Sequence, residues 1–317
     1  MLLHAVVSDS LAGHTPRRLN AFLFVLVAIS AAGCSVTPTA APARIEEGAQ
    51  PNGIEVRSRD GALFVTDDRS NAVLMSSDRS TWTSYVSLPT VAGQANSLSQ
   101  IKFVQGDTLL VARFGFGDAG GLFSVSPSRD VQALTGLATD RRRLGLVSIG
   151  PGRALSSWFV KQGSQPASGG VSLVTYDTST YSATERDLIA GLTKPVGIAT
   201  YGGSLFVVDQ VKSEILRYDL NALLGAPATA SKGTVLADVE SPDLLAADRS
   251  GALYTKCHAH SFCRIATDGT VTSIADDFQD ARGVAIDETR HVLYVVDRAR
   301  SASGTASAIR VFPLNEQ

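Results

Sequence analysis

The segment Lys256-Cys257-His258-Ala259-His260-Ser261-Phe262-Cys263-Arg264 gathers two of the chain's three cysteines and two of its five histidines. Such residues at this spacing do one of two things. In an oxidising compartment, Cys257 and Cys263 join across a hairpin tip as a disulfide. In a reducing one, two thiolates and two imidazoles make a tetrahedral zinc set. A second group is Asp67, Asp209 and Asp297, each closing a Val-x-Asp run. A carboxylate at a strand end accepts backbone N–H groups of the following turn, or joins others around a ligand. No G-x-S-x-G elbow for a serine nucleophile occurs. His4 and His14 fall in an N-terminal leader, so His258, His260 and His291 are the imidazoles left, and general-base chemistry would fall to carboxylates.

The elements that must position these residues are short strands. Leu63, Leu109, Leu155, Leu205, Leu253 and Leu293 recur in β-type runs at intervals of 40 to 50 residues. That period is the mark of a β-propeller blade. The sequence therefore predicts an all-β, six-bladed propeller of four-stranded antiparallel blades over residues 43–317. Each blade opens with a Pro- or Gly-containing turn and an apolar strand, such as Lys194-Pro195-Val196-Gly197-Ile198-Ala199, before the leucine strand. Leu144 to Ile149 read as the inner strand of blade three. An apolar residue six before a proline recurs as Ile45 before Pro51, Ile189 before Pro195 and Leu236 before Pro242. Blade six runs out of chain after Phe312, so residues 43–48 are expected to supply its fourth strand. Such closure removes exposed sheet edges.

Strand direction is the same in every blade, so the loops before the inner strands and after the leucine strands share one face. Asn52, Asp67, Asn96, Arg113, Asp209, Asp243, His258, Arg282 and Asp297 are the candidate ligand-binding residues there, with Phe114, Phe116 and Lys161 beside them. A mouth with both charges and aromatics suits a polar ligand over a central channel. Arg141, Arg142 and Arg143 read as one solvated loop. The net charge of −2 leaves no basic stripe, which argues against a nucleic-acid partner.

Ahead of the repeats, Arg17-Arg18, an apolar run from Ala21 to Ile29, and Ser30-Ala31-Ala32-Gly33 before Cys34 make a secretory signal over residues 1–33. Small residues directly before a cysteine resemble the lipobox of bacterial lipoproteins. That resemblance implies cleavage before Cys34, diacylglycerol on its thiol, and a membrane partner through the lipid. Ser35, where an aspartate would retain the protein at the inner membrane, implies an exported protein anchored in the envelope, at the outer membrane. The Pro/Thr/Ala stretch up to Pro42 reads as a tether, residues 34–42.

Pro51-Asn52-Gly53-Ile54, Pro195-Val196-Gly197-Ile198, Pro242-Asp243 and the three Val-x-Asp strand ends resemble the NHL and gluconolactonase-like (senescence marker protein) six-bladed propellers. The likeness covers nearly all of residues 43–317. It implies, on the NHL side, an envelope scaffold binding a small molecule or an envelope protein. On the gluconolactonase side it implies a metal-dependent lactone hydrolase, with a channel cation held by a Glu, two Asn and an Asp. Asn52, Asn96 and Asp243 are the matching positions, and oxygen ligands suit Ca²⁺ or Mg²⁺. Two departures stand against that set: Leu244 follows Asp243 where the family has Gly, and the family's Glu-Gly-Pro ligand has no counterpart.

Overall fold

The computed structural model describes residues 42–314, except 47, 226–231 and 301–305. The leader, Cys34 and all of the tether but Pro42 lie outside the described residues. Six four-stranded antiparallel sheets form a ring. The inner strands are Pro51–Val56, Leu98–Phe103, Arg142–Gly150, Pro195–Tyr201, Ala246–Ala247 and Ala281–Asp287, and they touch one another in cyclic order. The second strands, Leu63–Asp67, Leu109–Arg113, Arg153–Val160, Ser204–Asp209, Leu253–Lys256 and Val292–Asp297, each hold one leucine of the register.

Every register leucine is buried. Each packs into one of six apolar clusters that lie largely between neighbouring blades. A blade therefore cannot bury its faces without both neighbours, the property that makes the repeat cooperative. Truncating one such leucine to alanine costs about 2–5 kcal/mol.

The ring closes as the sequence predicts, through a shorter strand. Ala43–Arg44 pairs antiparallel with Ile309 and Ala308 of the strand Ala308–Pro313. Ile45 N–H then donates to Ser307 O at 2.9 Å, and the Ser307 hydroxyl donates to Ala49 O at 2.8 Å. Ile45 is buried and anchors the junction of blades six and one.

Five of the six inner strands break register near their mouth end, between Pro51 and Ile54, Leu98 and Ile101, Arg143 and Leu146, Pro195 and Ile198, and Ala281 and Val284. Two residues on the inner strand there oppose one on its partner, which is a β-bulge. Bulges re-aim a side chain. Here they also let inner strands approach closely: a Cβ on Gly53 would lie 2.3 Å from Ser99 O, and one on Gly197 would lie 2.4 Å from Asp243 O. Only glycine fits at such backbone contacts.

Candidate functional site

The three repeated aspartates are latches. Asp67 accepts from Gln50 N at 2.6 Å and Ser70 N at 3.0 Å. Asp209 accepts from Thr193 N at 2.8 Å and Lys194 N at 2.9 Å. Asp297 accepts from Gln279 N at 2.8 Å and Asp280 N at 3.2 Å. In each blade the carboxylate fixes the loop that leads into the inner strand. All three are buried, so they are not offered to a ligand.

Other predicted site residues also hold structure. Arg113 donates to Ala119 O and Pro89 O, both at 2.8 Å, and stacks 4.4 Å from the Phe123 centroid. The Asn52 amide donates to Leu98 O at 2.7 Å and so ties blade one to blade two. Asn96 is exposed on the loop before Leu98. His258 meets Glu240 at 2.8 Å on the rim, with side chains 62% and 63% exposed. Cys257 and Cys263 form a disulfide, Cα atoms 5.7 Å apart, which consumes the thiolates a zinc set would need. His260 Nδ1 donates to Phe278 O at 2.7 Å.

Of the nine candidates, the structure brings Asp243 and Arg282 into direct contact. Arg282 Nη1 donates to Asp243 Oδ2 at 2.9 Å, and its Nε and Nη2 meet Asp280 Oδ2 at 2.8 and 2.7 Å. Lys256 Nζ binds Asp280 Oδ1 at 2.7 Å. Burial alone would raise the Asp280 carboxyl, but Arg282 and Lys256 hold it below the usual carboxylate range. Lys256 ends the second strand of blade five and Asp280 precedes the inner strand of blade six, neither within a motif, so no sequence signal marks the pair.

A second cluster lies on the blade-three side of the mouth, and it corrects the reading of the arginine run. Arg142 opens the inner strand, and its guanidinium carbon stands 5.3, 5.2 and 5.6 Å from the ring centroids of Phe114, Phe116 and Phe159. Lys194 Nζ lies 5.8 Å from the same Phe159 centroid and donates to Gln210 Oε1. Arg143 is 0% exposed, bonded through Nη2 to Ala138 O and to both Glu185 oxygens at 3.0 Å. Arg141 forks onto Asp187 at 2.6 and 2.9 Å, 3.7 Å above the Trp158 ring. The carboxylates that take Arg141 and Arg143, Asp187 and Glu185, are 46 and 42 residues downstream on the outer strand Ala183–Leu192. A charge run looks solvated until that strand folds over it.

The proposed cation set does not fit. Asn96 is out on a loop, and the Asp243 carboxylate is taken by a guanidinium, which leaves the amide oxygen of Asn52 without a carboxylate to complete the set. At the bulges of blades three and four stand Leu144 and Val196, both buried and without a donor atom. Among the described residues no group of three or more His, Cys, Asp or Glu side chains converges as metal ligands would.

Deeper in the channel, a cavity of about 220 Å³ is lined by residues of blades two to six, with Gln100, Lys102, Thr200 and Glu288 as its polar side chains. Lys102 binds Glu55 at 2.8 Å beside it, and burial pushes the Glu55 carboxyl up against that pull.

Six four-stranded blades, a bulged inner strand and a ring closed by the N-terminal strand decide the fold class. The fold is that of the gluconolactonase-like six-bladed propellers. Regucalcin from Agrobacterium tumefaciens, described as a calcium-binding protein, superposes with a TM-score of 0.67 at 16% identity, covering 88% of this chain and 95% of that one. A gluconolactonase from Xanthomonas campestris gives 0.66 at 14% identity, over 89% and 94%. The virginiamycin B lyase of Staphylococcus aureus gives 0.54 at 12% identity, over 83% and 94%. No family model and no curated protein matches the sequence. At these identities the likeness to gluconolactonase-like propellers is one of fold, and propellers host unrelated functions.

Proposed function

We propose that this chain is a ligand-binding propeller, working through the loops of its channel mouth, and not a metal-dependent lactone hydrolase. The observation that carries the reading is the Arg282–Asp243 contact. The one acidic position that matches the expected cation set, itself buried, is neutralised by a half-buried guanidinium that is shared with Asp280. A cation placed there would meet Arg282 at close range, and like charges disfavour it. The lactonase reading has the fold likeness in its favour and the donor set against it.

The proposal includes export and anchoring: Cys34 carries the lipid, the tether holds the ring off the outer membrane, and the ligand is a small molecule or an envelope protein. Mass spectrometry of the mature protein should find an acylated N-terminal Cys34; a cut elsewhere without acyl chains rejects the anchor.

The function test pairs metal content after equilibration with Ca²⁺ or Mg²⁺ with a gluconolactone hydrolysis assay. The expected result is no stoichiometric metal and no metal-dependent hydrolysis. One bound ion per chain together with metal-dependent turnover would reverse the assignment.

A further inference from the structure

We infer that the ligand of this mouth is a small aromatic carboxylate, its anionic end held by Arg142 and Lys194 and its ring laid against Phe116 and Phe114. The inference rests on the ligand-binding reading above and names the ligand's chemistry.

Arg142 stands among three phenyl rings that meet edge to face, Phe114–Phe116 at 5.1 Å and Phe114–Phe159 at 5.7 Å. Among the described residues no carboxylate pairs with it. Lys161, exposed just beyond the second strand of blade three, has no carboxylate partner either. Among the described residues the Lys194 ammonium has a neutral amide oxygen, Gln210 Oε1, as its hydrogen-bond partner. The nearby carboxylates, Asp243 and Asp280, already serve Arg282 and Lys256. This side of the mouth thus carries more cations than anions in a chain whose overall charge is slightly negative.

The crowding has a physical trace. Burial lowers the Lys194 ammonium below the ordinary lysine range; Arg282, Arg142 and Lys161 lower it further, against the pull of Asp243. Cation–π contacts with the three rings offset part of such repulsion. A ligand anion would relieve it directly, and a guanidinium fork matches a carboxylate.

The apolar part follows from the rings. Phe116 is 38% exposed at the lip, a large side chain that a purely ionic site would not need there. A bare phosphate would use the charges and leave that wall wet. A flat ring uses both, since aromatic faces gain from offset or edge contacts beyond the area they bury.

Calorimetric titration with 2-naphthoate tests the idea, beside 2-naphthamide as its neutral counterpart and inorganic phosphate as a bare anion. The expected result is one 2-naphthoate per chain, bound at least tenfold tighter than either comparison compound. Arg142→Gln and Lys194→Gln should each weaken 2-naphthoate severalfold and leave 2-naphthamide unchanged. Arg153→Gln, at the start of the second strand and the opposite end of blade three, should change neither. Equal binding of acid and amide, phosphate binding as tightly as 2-naphthoate, indifference to Arg142→Gln in a folded variant, or no binding at all would each overturn the inference. None of those outcomes alters the metal and lactone measurements, which alone decide the broader reading.

Discussion

Blades one, four and six carry an aspartate four residues after the register leucine; blades two, three and five carry Arg113, Phe159 and Cys257 there. In the first group the residue does one job three times, fixing the incoming loop by backbone N–H bonds to a buried carboxylate. In the second group the position does three other jobs: Arg113 binds the carbonyls of Pro89 and Ala119, Phe159 packs on Phe114, and Cys257 closes its own hairpin tip through the bond to Cys263. Repetition at this position marks what every blade needs. Departure from it, in blade three above all, accompanies the charged and aromatic side chains of the mouth.

The largest expected effect lies in the blade that departs most. Arg143 is wholly buried, and Glu185 is its carboxylate partner. Glu185→Ala leaves a buried guanidinium unpaired, a change that costs about 3–5 kcal/mol. Denaturant titration should show that loss, and a drop below about 1 kcal/mol would mean that the network does not hold blade three. Burial would raise the Glu185 carboxyl, but hydrogen bonds and charge from Arg143, with Arg141, hold it low. A depressed carboxylate stabilises above its unfolded value, near 4.5, and the contribution is lost as pH falls through the folded value. Stability should therefore drop on acidification below about pH 4.5 in the parent chain, and more gently in Glu185→Gln.

A middle-sized effect contrasts the two kinds of latch. Asp209 is 0% exposed and accepts two backbone N–H groups. Hydrogen bonds to a charged acceptor contribute roughly 1.5–3 kcal/mol, so Asp209→Ala should destabilise by about 2–3 kcal/mol. Hydrogen exchange at Thr193 and Lys194 should quicken first. Reducing Cys257–Cys263 frees a short loop and should cost about 2 kcal/mol, with faster exchange confined to blade five. If reduction loosened the whole ring while Asp209→Ala stayed local, the covalent latch would be the one the propeller depends on.

These contrasts explain what was legible in the sequence. The leucine register, the latch aspartates and the ring closure repeat, and a repeated burial pattern survives in one dimension. Residues 43–48 were readable because Ile45 keeps the spacing to Pro51 that Ile189 keeps to Pro195. The mouth was not readable, because its contacts join blades. Asp243 matched a metal ligand in type, yet its partner Arg282 enters from blade six, 39 residues later. In blade three the bulge falls one residue further along than in its neighbours, between Arg143 and Leu146, and Arg142 and Arg143 stand in the strand ahead of it.

The smallest expected effect guards against reading every departure as function. His258 is also irregular, stands on the same rim and meets Glu240 at 2.8 Å, so its contact resembles that of Arg282 in distance. Exposure separates the two. Both partners of the His258 contact are more than half in water, where an ion pair contributes about 0–1 kcal/mol and is screened by salt. Arg282 is held by Asp243, which is only 7% exposed in its side chain, and by Asp280. His258→Ala should shift stability by no more than about 0.5 kcal/mol and leave 2-naphthoate binding as it was. Arg282→Ala should strip a buried carboxylate of its partner and disturb both. If the histidine change mattered as much as the arginine one, irregularity alone would mark the site; if it does not, the marker is irregularity together with burial, the pairing blade three displays most fully.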